Sequence, residues 1–153
     1  MKSLAFAAIE RDGSIANHSL ETSGEAAEVC RSTAKLYDAV GYAPPWVGYL
    51  AVADACVVGT CAFKSAPVSG RVEIAYFTFP GYEGRGIATA MVNHLVGIAR
   101  FQDPSLSIVA QTLPEPNASN AILQKLGFEF AGPVEHVTDG TVWEWRLPQS
   151  AGA

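Results

Sequence analysis

The order of apolar and polar positions divides the chain into strands and helices. Leu4 to Ile9 is an apolar run closed by Glu10-Arg11-Asp12-Gly13, which predicts a strand and a turn, with a second short strand over Ile15 to Leu20. Thr22-Ser23-Gly24-Glu25 has the form of a capping box, with Thr22 as N-cap and Glu25 at the third helical position. Beyond it Ala26, Val29, Cys30, Thr33, Leu36, Tyr37 and Val40 recur at helical spacing until Gly41 and Pro44-Pro45 end the helix. Trp46 to Ala53 and Cys56 to Phe63 predict two strands joined by a tight turn at Asp54. Val72 to Phe79 is nearly continuous in apolar residues, as a central strand is.

Ile87, Ala90, Met91, His94, Leu95 and Ile98 then predict an amphipathic helix reaching Phe101, and Leu106 to Ala110 a buried strand. Asn117 to Leu126 reads as a helix stopped by Gly127. Phe128 to Val137 and Thr141 to Leu147 read as a closing hairpin that turns at Asp139-Gly140. Strand, loop, helix, strand in the middle third implies a right-handed crossover and at least one parallel pair. The expected fold class is α+β (mixed α/β), with helices against a mixed sheet. The length suits one domain over residues 1–153.

Composition narrows the function. A formal net charge of -5 argues against nucleic acid as a partner, because phosphate backbones attract basic surfaces. No apolar run reaches the length of a membrane span. The first ten residues read as a strand, not a secretory leader, since Glu10, Arg11 and Asp12 close the run early. Cys30, Cys56 and Cys61 are odd in number and fit neither a zinc nor a disulfide pattern, which places the expected compartment in the reducing cytoplasm. His18, His94 and His136 do not cluster, so no metal is expected.

The stretch with most chemistry is Gly81-Tyr82-Glu83-Gly84-Arg85-Gly86-Ile87-Ala88, between the central strand and the following helix. Such a loop exposes unpaired main-chain N–H groups at the positive end of a helix dipole, and this combination attracts phosphate. The dinucleotide pattern G-x-G-x-x-G fails because Thr89 stands where its third glycine belongs, and no Gly-Lys-Ser/Thr follows to make a Walker loop.

A second signal lies about thirty residues on, in Pro114-Glu115-Pro116-Asn117-Ala118-Ser119 with Leu123-Gln124-Lys125-Leu126-Gly127-Phe128. Together the two stretches resemble the GNAT superfamily of acyl-CoA-dependent N-acetyltransferases. Glu73-Ile74-Ala75-Tyr76, Leu113 to Ser119 and Trp143-Glu144-Trp145 look most like its ribosomal-protein N-terminal acetyltransferase branch. The resemblance implies a mostly antiparallel sheet with one splayed parallel pair and acetyl-CoA as cofactor. It implies cofactor contacts from Phe77 and Phe79 N–H groups, from Glu83, Gly84, Arg85, Gly86, Ile87 and Ala88, and from Asn117 and Ser119. The family loop often begins with Gln or Arg where Gly81 stands. The tyrosine that serves some members as general acid is matched here by Leu123.

Acetyl transfer to an amine needs a neutral amine, donors for the developing oxyanion and a stabilised leaving thiolate. Glu73 is the candidate general base, directly or through water, with a structural ion pair as its other reading. Ser119 is the candidate partner of the leaving sulfur or the cofactor arm, or else a helix cap. Asn117 touches the arm, caps the helix, or does both. Arg85 pairs with a cofactor phosphate or stays solvated. Tyr49 and Tyr76 line an acceptor cleft or pack in the core. Trp143 and Trp145 share a face, in the core or on a homodimer surface. The expected activity is transfer of an acetyl group to a primary amine of a small molecule, a peptide N-terminus or a lysine, by direct attack in a ternary complex. A non-catalytic acyl-CoA sensor of the same fold is the alternative.

Overall fold

A computed structural model describes residues 4–15 and 24–149. Among these residues seven strands form one sheet: β1 (Ala5–Ala8), β2 (Gly48–Ala53), β3 (Cys56–Phe63), β4 (Arg71–Thr78), β5 (Ser107–Thr112), β6 (Glu129–His136) and β7 (Gly140–Leu147). Three helices join them: α1 (Glu25–Val40), α2 (Ile87–Gln102) and α3 (Ala118–Lys125). The spatial order is β1-β2-β3-β4-β5-β7-β6. Every neighbouring pair is antiparallel except β4 with β5, the pair joined through α2. The mixed α+β class read from the sequence therefore holds.

Local chemistry explains the elements. Asp54 and Ala55 both adopt positive φ (51° and 65°), the paired left-handed geometry that closes a two-residue hairpin between β2 and β3. The helix α1 begins at Glu25 with Gly24 as its cap and no side-chain cap bond, so Glu25 takes the first helical position and not the third. Thr22 and Ser23 lie outside the described residues, as does the strand expected after Ile15; Ile15 itself bridges Ile9. At the other end Gly41 caps α1 by donating its N–H to Tyr37 O, and Val40, placed on the inner face by its spacing, is 44% exposed. The closing hairpin turns over Val137-Thr138-Asp139, one residue earlier than Asp139-Gly140 suggested, because Gly140 already pairs with His136.

The helices divide between the two faces of the sheet. A Cβ on Gly48 would meet Thr33 of α1 at 2.9 Å, while the next residue, Tyr49, packs its ring against His94 of α2. Successive strand residues point to opposite faces, so α1 and α2 lie on opposite sides. Asn120 of α3 bonds Thr112 of β5 and Trp145 of β7, which puts α3 on the α2 side. The core sits under α2: Met91, Val92, Leu95 and Ala99 are sealed against Val58, Cys61, Ile74, Ile108 and Ala110. Each large side chain buried there contributes about 1.5–3 kcal/mol. Gly59 lets the helix come this close, since a Cβ there would stand 2.8 Å from Phe77 O and 3.2 Å from Met91 Sδ.

Candidate active site

The sheet opens where its one parallel pair ends. Pairing of β4 with β5 covers only Arg71–Ile74 against Ser107–Ala110. Beyond Ala110, β5 stays with β7, Gln111 opposite Glu144 and Thr112 opposite Trp143, and so departs from β4. The second half of β4 keeps β3 on one side and has a gap on the other.

Register decides which groups face that gap. Lys64 N–H donates to Glu73 O and Phe79 N–H donates to Val58 O, both at 2.9 Å, so odd-numbered residues of this segment turn their main-chain groups toward β3. Main-chain polarity alternates along an antiparallel strand. Phe77, opposite Thr60, therefore also faces β3, and Tyr76 and Thr78 face the gap. The expectation that Phe77 and Phe79 offer their N–H groups to a cofactor is corrected by one residue.

The glycine loop closes one end of the gap. Gly81, Gly84 and Gly86 adopt positive φ of 94°, 76° and 78°, a region closed to most side chains. Gly86 is the N-cap of α2 and has no side chain with which to satisfy the first turn. Among the described residues nothing accepts from the N–H groups of Gly84, Gly86, Ile87 and Ala88. The loop holds its shape by other means: Glu83 Oε1 accepts from Gly81 N–H at 2.8 Å, and Tyr82 N–H donates to Phe79 O at 3.1 Å. The Arg85 guanidinium lies over the Tyr82 ring, 5.4 Å from its centroid.

A cleft of about 410 Å³ runs from this loop along β4 to α3; Phe77, Glu83, Gly84, Gly86, Ile87, Ala88 and Ser119 of the expected set line it. Arg85 is absent from its walls, and Phe79 is buried behind them. Asn117 stands at the far end, in a cleft of about 340 Å³ shared with Lys64, Tyr76, Gln111 and Ser119. Its Oδ1 accepts from Asn120 N–H at 2.9 Å, capping α3. A third cleft, about 390 Å³, lies beside α1 and is walled by Glu25, Glu28, Thr60, Ala75 and Phe77. Tyr76 and Phe77 contribute to the walls of all three clefts.

The candidate base is tethered. Lys64 Nζ lies 2.9 Å from Glu73 Oε2 in ion-pair contact, but not along a hydrogen-bond direction. Glu73 shares a face with Ala75 and Phe77 by strand alternation, the side on which α1 lies. Tyr49 does not reach any of these clefts: its hydroxyl donates to Pro45 O at 2.7 Å, and its ring packs against His94. Trp145 is buried in the core with its Nε1 donating to Asn120 Oδ1 at 2.8 Å.

Three features escaped sequence reasoning. Asn120 ties α3 to the sheet, accepting from Thr112 and Trp145 and donating to Glu115 O. Nothing in its spacing marked it beyond an Asn on the inward side of a short helix. Buried Glu144 is matched by Arg71 at 3.2 Å, a long-range pair with no local signature. The Tyr76 hydroxyl is sealed from solvent without an aligned hydrogen-bond partner. Burial pushes this phenol up to about 12, and the Ser119 hydroxyl pulls the other way. Leu123, where some relatives carry a tyrosine, is fully buried. Among the described residues no His, Cys, Asp and Glu side chains gather as a metal site, and no helix is long and apolar enough to cross a membrane.

Comparison with known proteins agrees with this architecture. The ribosomal-protein-S5-alanine acetyltransferase from Vibrio fischeri is similar over 99% of this chain and 96% of its own, at 16% identity and a TM-score of 0.73. The Salmonella typhimurium acetyltransferase that modifies the N-terminal serine of ribosomal protein L7/L12 is similar over 98% and 97%, at 15% identity and a TM-score of 0.69. The microcin C7 self-immunity acetyltransferase MccE, solved with acetyl-CoA and AMP, is similar over 81% of this chain and 70% of its own, at 14% identity and a TM-score of 0.64. No curated protein matches the chain significantly in sequence. Residues 6–129 match the model of the acetyltransferase (GNAT) domain, and the chain thus belongs to the GNAT acetyltransferase family.

Proposed function

We propose that the protein transfers an acetyl group from acetyl-CoA to a primary amine of a small molecule or peptide, by direct attack in a ternary complex. The observation that carries this reading is the gap beside β4, with unpaired main-chain groups along one wall and unpaired loop N–H groups at its mouth. Acetyl-CoA supplies an acetyl group activated as a thioester. The N–H groups of Gly84, Gly86, Ile87 and Ala88 hold its diphosphate, helped by the α2 dipole. The main chain of Tyr76 and Thr78 holds its amide arm as an added strand would. Asn117 and Ser119 bound the arm from α3.

The amine enters from the α1 side, past Glu25 and Glu28. Their negative charge favours the approach of an ammonium. Glu73 accepts the proton that the amine must lose, and Lys64 fixes the carboxylate in place. The buried thiols of Cys30 and Cys61 are both raised, the second to about 12, which argues against either as an acyl-carrying nucleophile, and exposed Cys56 lies outside the three clefts. Two measurements test the reading. Acetyl-CoA should raise the melting temperature by mass action. A panel of amines, followed by thiol release, should show at least one that is turned over; binding without turnover of any amine would favour a sensor.

A further inference from the structure

We infer that the Tyr76 hydroxyl is the group that stabilises the leaving sulfur. The inference rests on the cofactor reading above and deepens it. The loop fixes one end of the cofactor, and the free wall of β4 leads from Thr78 through Tyr76 to Ile74, where β5 rejoins and the gap closes. The reactive end of an arm laid along that wall comes to rest beside Tyr76. Tyr76 contributes to the walls of all three clefts.

The hydroxyl there is buried and unaligned with any protein acceptor. A buried donor left without a partner is costly, so it is a group in need of a ligand atom. Strand alternation puts the Tyr76 side chain on the α2 and α3 side and Glu73 on the α1 side. The candidate base and the candidate thiolate donor are thereby carried on opposite faces of the sheet.

The phenol works as a hydrogen-bond donor and keeps its proton. Burial raises it far above a thiol, whose ordinary value is about 8.5, so full transfer to a thiolate is uphill. Glu73 first relays the ammonium proton to water, and the N–C bond then forms as the second amine proton passes to the emptied Glu73 carboxylate. The C–S bond breaks with its electron pair going to sulfur, which departs as a thiolate held by the Tyr76 O–H. On release the thiolate takes a proton from water, and Glu73 returns its own to water. Leu123 leaves the α3 position without a donor, and Tyr76 fills the need from the strand.

The test uses coenzyme A, with its free thiol, and the full-length protein as wild type and Tyr76→Phe. Binding is measured first by calorimetry, and the bound thiol is then titrated by thiolate ultraviolet absorbance. The expected result is similar affinity in both, with the bound thiol titrating about one unit lower in the wild type, a tenfold shift in thiolate fraction. Acetyl transfer by Tyr76→Phe should fall on the order of a hundredfold, with the KM for acetyl-CoA little changed. Equal thiol titration in the two proteins, whatever the turnover, overturns the inference and leaves the cofactor reading intact. No binding of coenzyme A to wild type overturns both. The wild type alone gives a check that needs no variant: a bound thiol titrating at or above free coenzyme A also overturns the inference.

Discussion

Lys64 and Glu73 face each other across the β3–β4 ladder, and their side chains meet with Nζ 2.9 Å from Oε2. The lysine is the more exposed of the two, at 44% against 23% for the glutamate side chain. Such a pair contributes little to stability, roughly 0–1 kcal/mol. Its consequence is positional: it tethers the carboxylate on the α1 side of β4, beside the part still paired with β5 and outside the walls of the three clefts.

Glu73→Gln keeps the shape and removes the base. Transfer at neutral pH should fall by about a hundredfold, with the deficit easing as pH rises and the amine deprotonates unaided. Lys64→Met should lower kcat only a few-fold and leave the melting temperature nearly unchanged. Steady-state kinetics across pH checks both, and full activity of Glu73→Gln at neutral pH removes Glu73 as the base.

Gly84 has open space around it, so a side chain there costs strain and not collision. At φ of 76° the cost of a non-glycine residue is about 1–2 kcal/mol. Gly84→Val should fold yet lose the thermal shift given by acetyl-CoA, because the backbone must leave the conformation that aims its N–H groups. A thermal shift equal to that of wild type would count against the loop as the diphosphate site.

Asn120 joins Thr112, Trp145 and the carbonyl of Glu115 in one buried network. Asn120→Ala leaves the Trp145 Nε1–H only its longer bond to Thr112 Oγ1, 3.3 Å, and takes away the acceptor of the Thr112 hydroxyl, so it should destabilise the protein by about 2–4 kcal/mol. That corresponds to a fall of roughly 5–10 °C in melting temperature, readable by calorimetry. Acetyl-CoA should also bind more weakly, since α3 loses its tie to the sheet.

His94 sits between Phe6, stacked at 3.9 Å, and Tyr49, and its Nε2 is buried without a partner. Burial lowers its pKa below the ordinary 6.5. Between the lowered value and 6.5 the unfolded chain binds a proton that the folded chain does not, so stability rises with pH there. This contribution is present above about 6.5 and is lost as pH falls, by at most about 1.4 kcal/mol per unit. His94→Phe should keep the stack and lose less melting temperature than wild type between about pH 7 and about pH 5. Parallel pH profiles of the two proteins would assign acid sensitivity elsewhere.

The elements were legible because their signals are local. The apolar run of Cys56 to Phe63 behind its turn at Asp54, the helical spacing from Ile87 to Ile98 and the cap at Asn117 all depend on neighbours in sequence. The loop was legible for the same reason, since glycines between a strand and a helix are a local fact. Tyr49 and Tyr76 differ in outcome though both are strand tyrosines, because Pro45 captures one hydroxyl and nothing aligned meets the other.

What only the tertiary structure decided is which face and which edge each group meets. The register with β3, set by pairs such as Phe79 with Val58, turns Tyr76 and Thr78 toward the gap. The partnership of β5 with β7 creates that gap, and Lys64, Asn120 and Glu144 acquire their roles from residues distant in the chain. Sequence specifies periodicity and turn chemistry, which are properties of a few consecutive residues. Strand pairing and helix placement arise when separate segments bury their apolar faces together, so the positions of the reacting groups exist only in the folded chain.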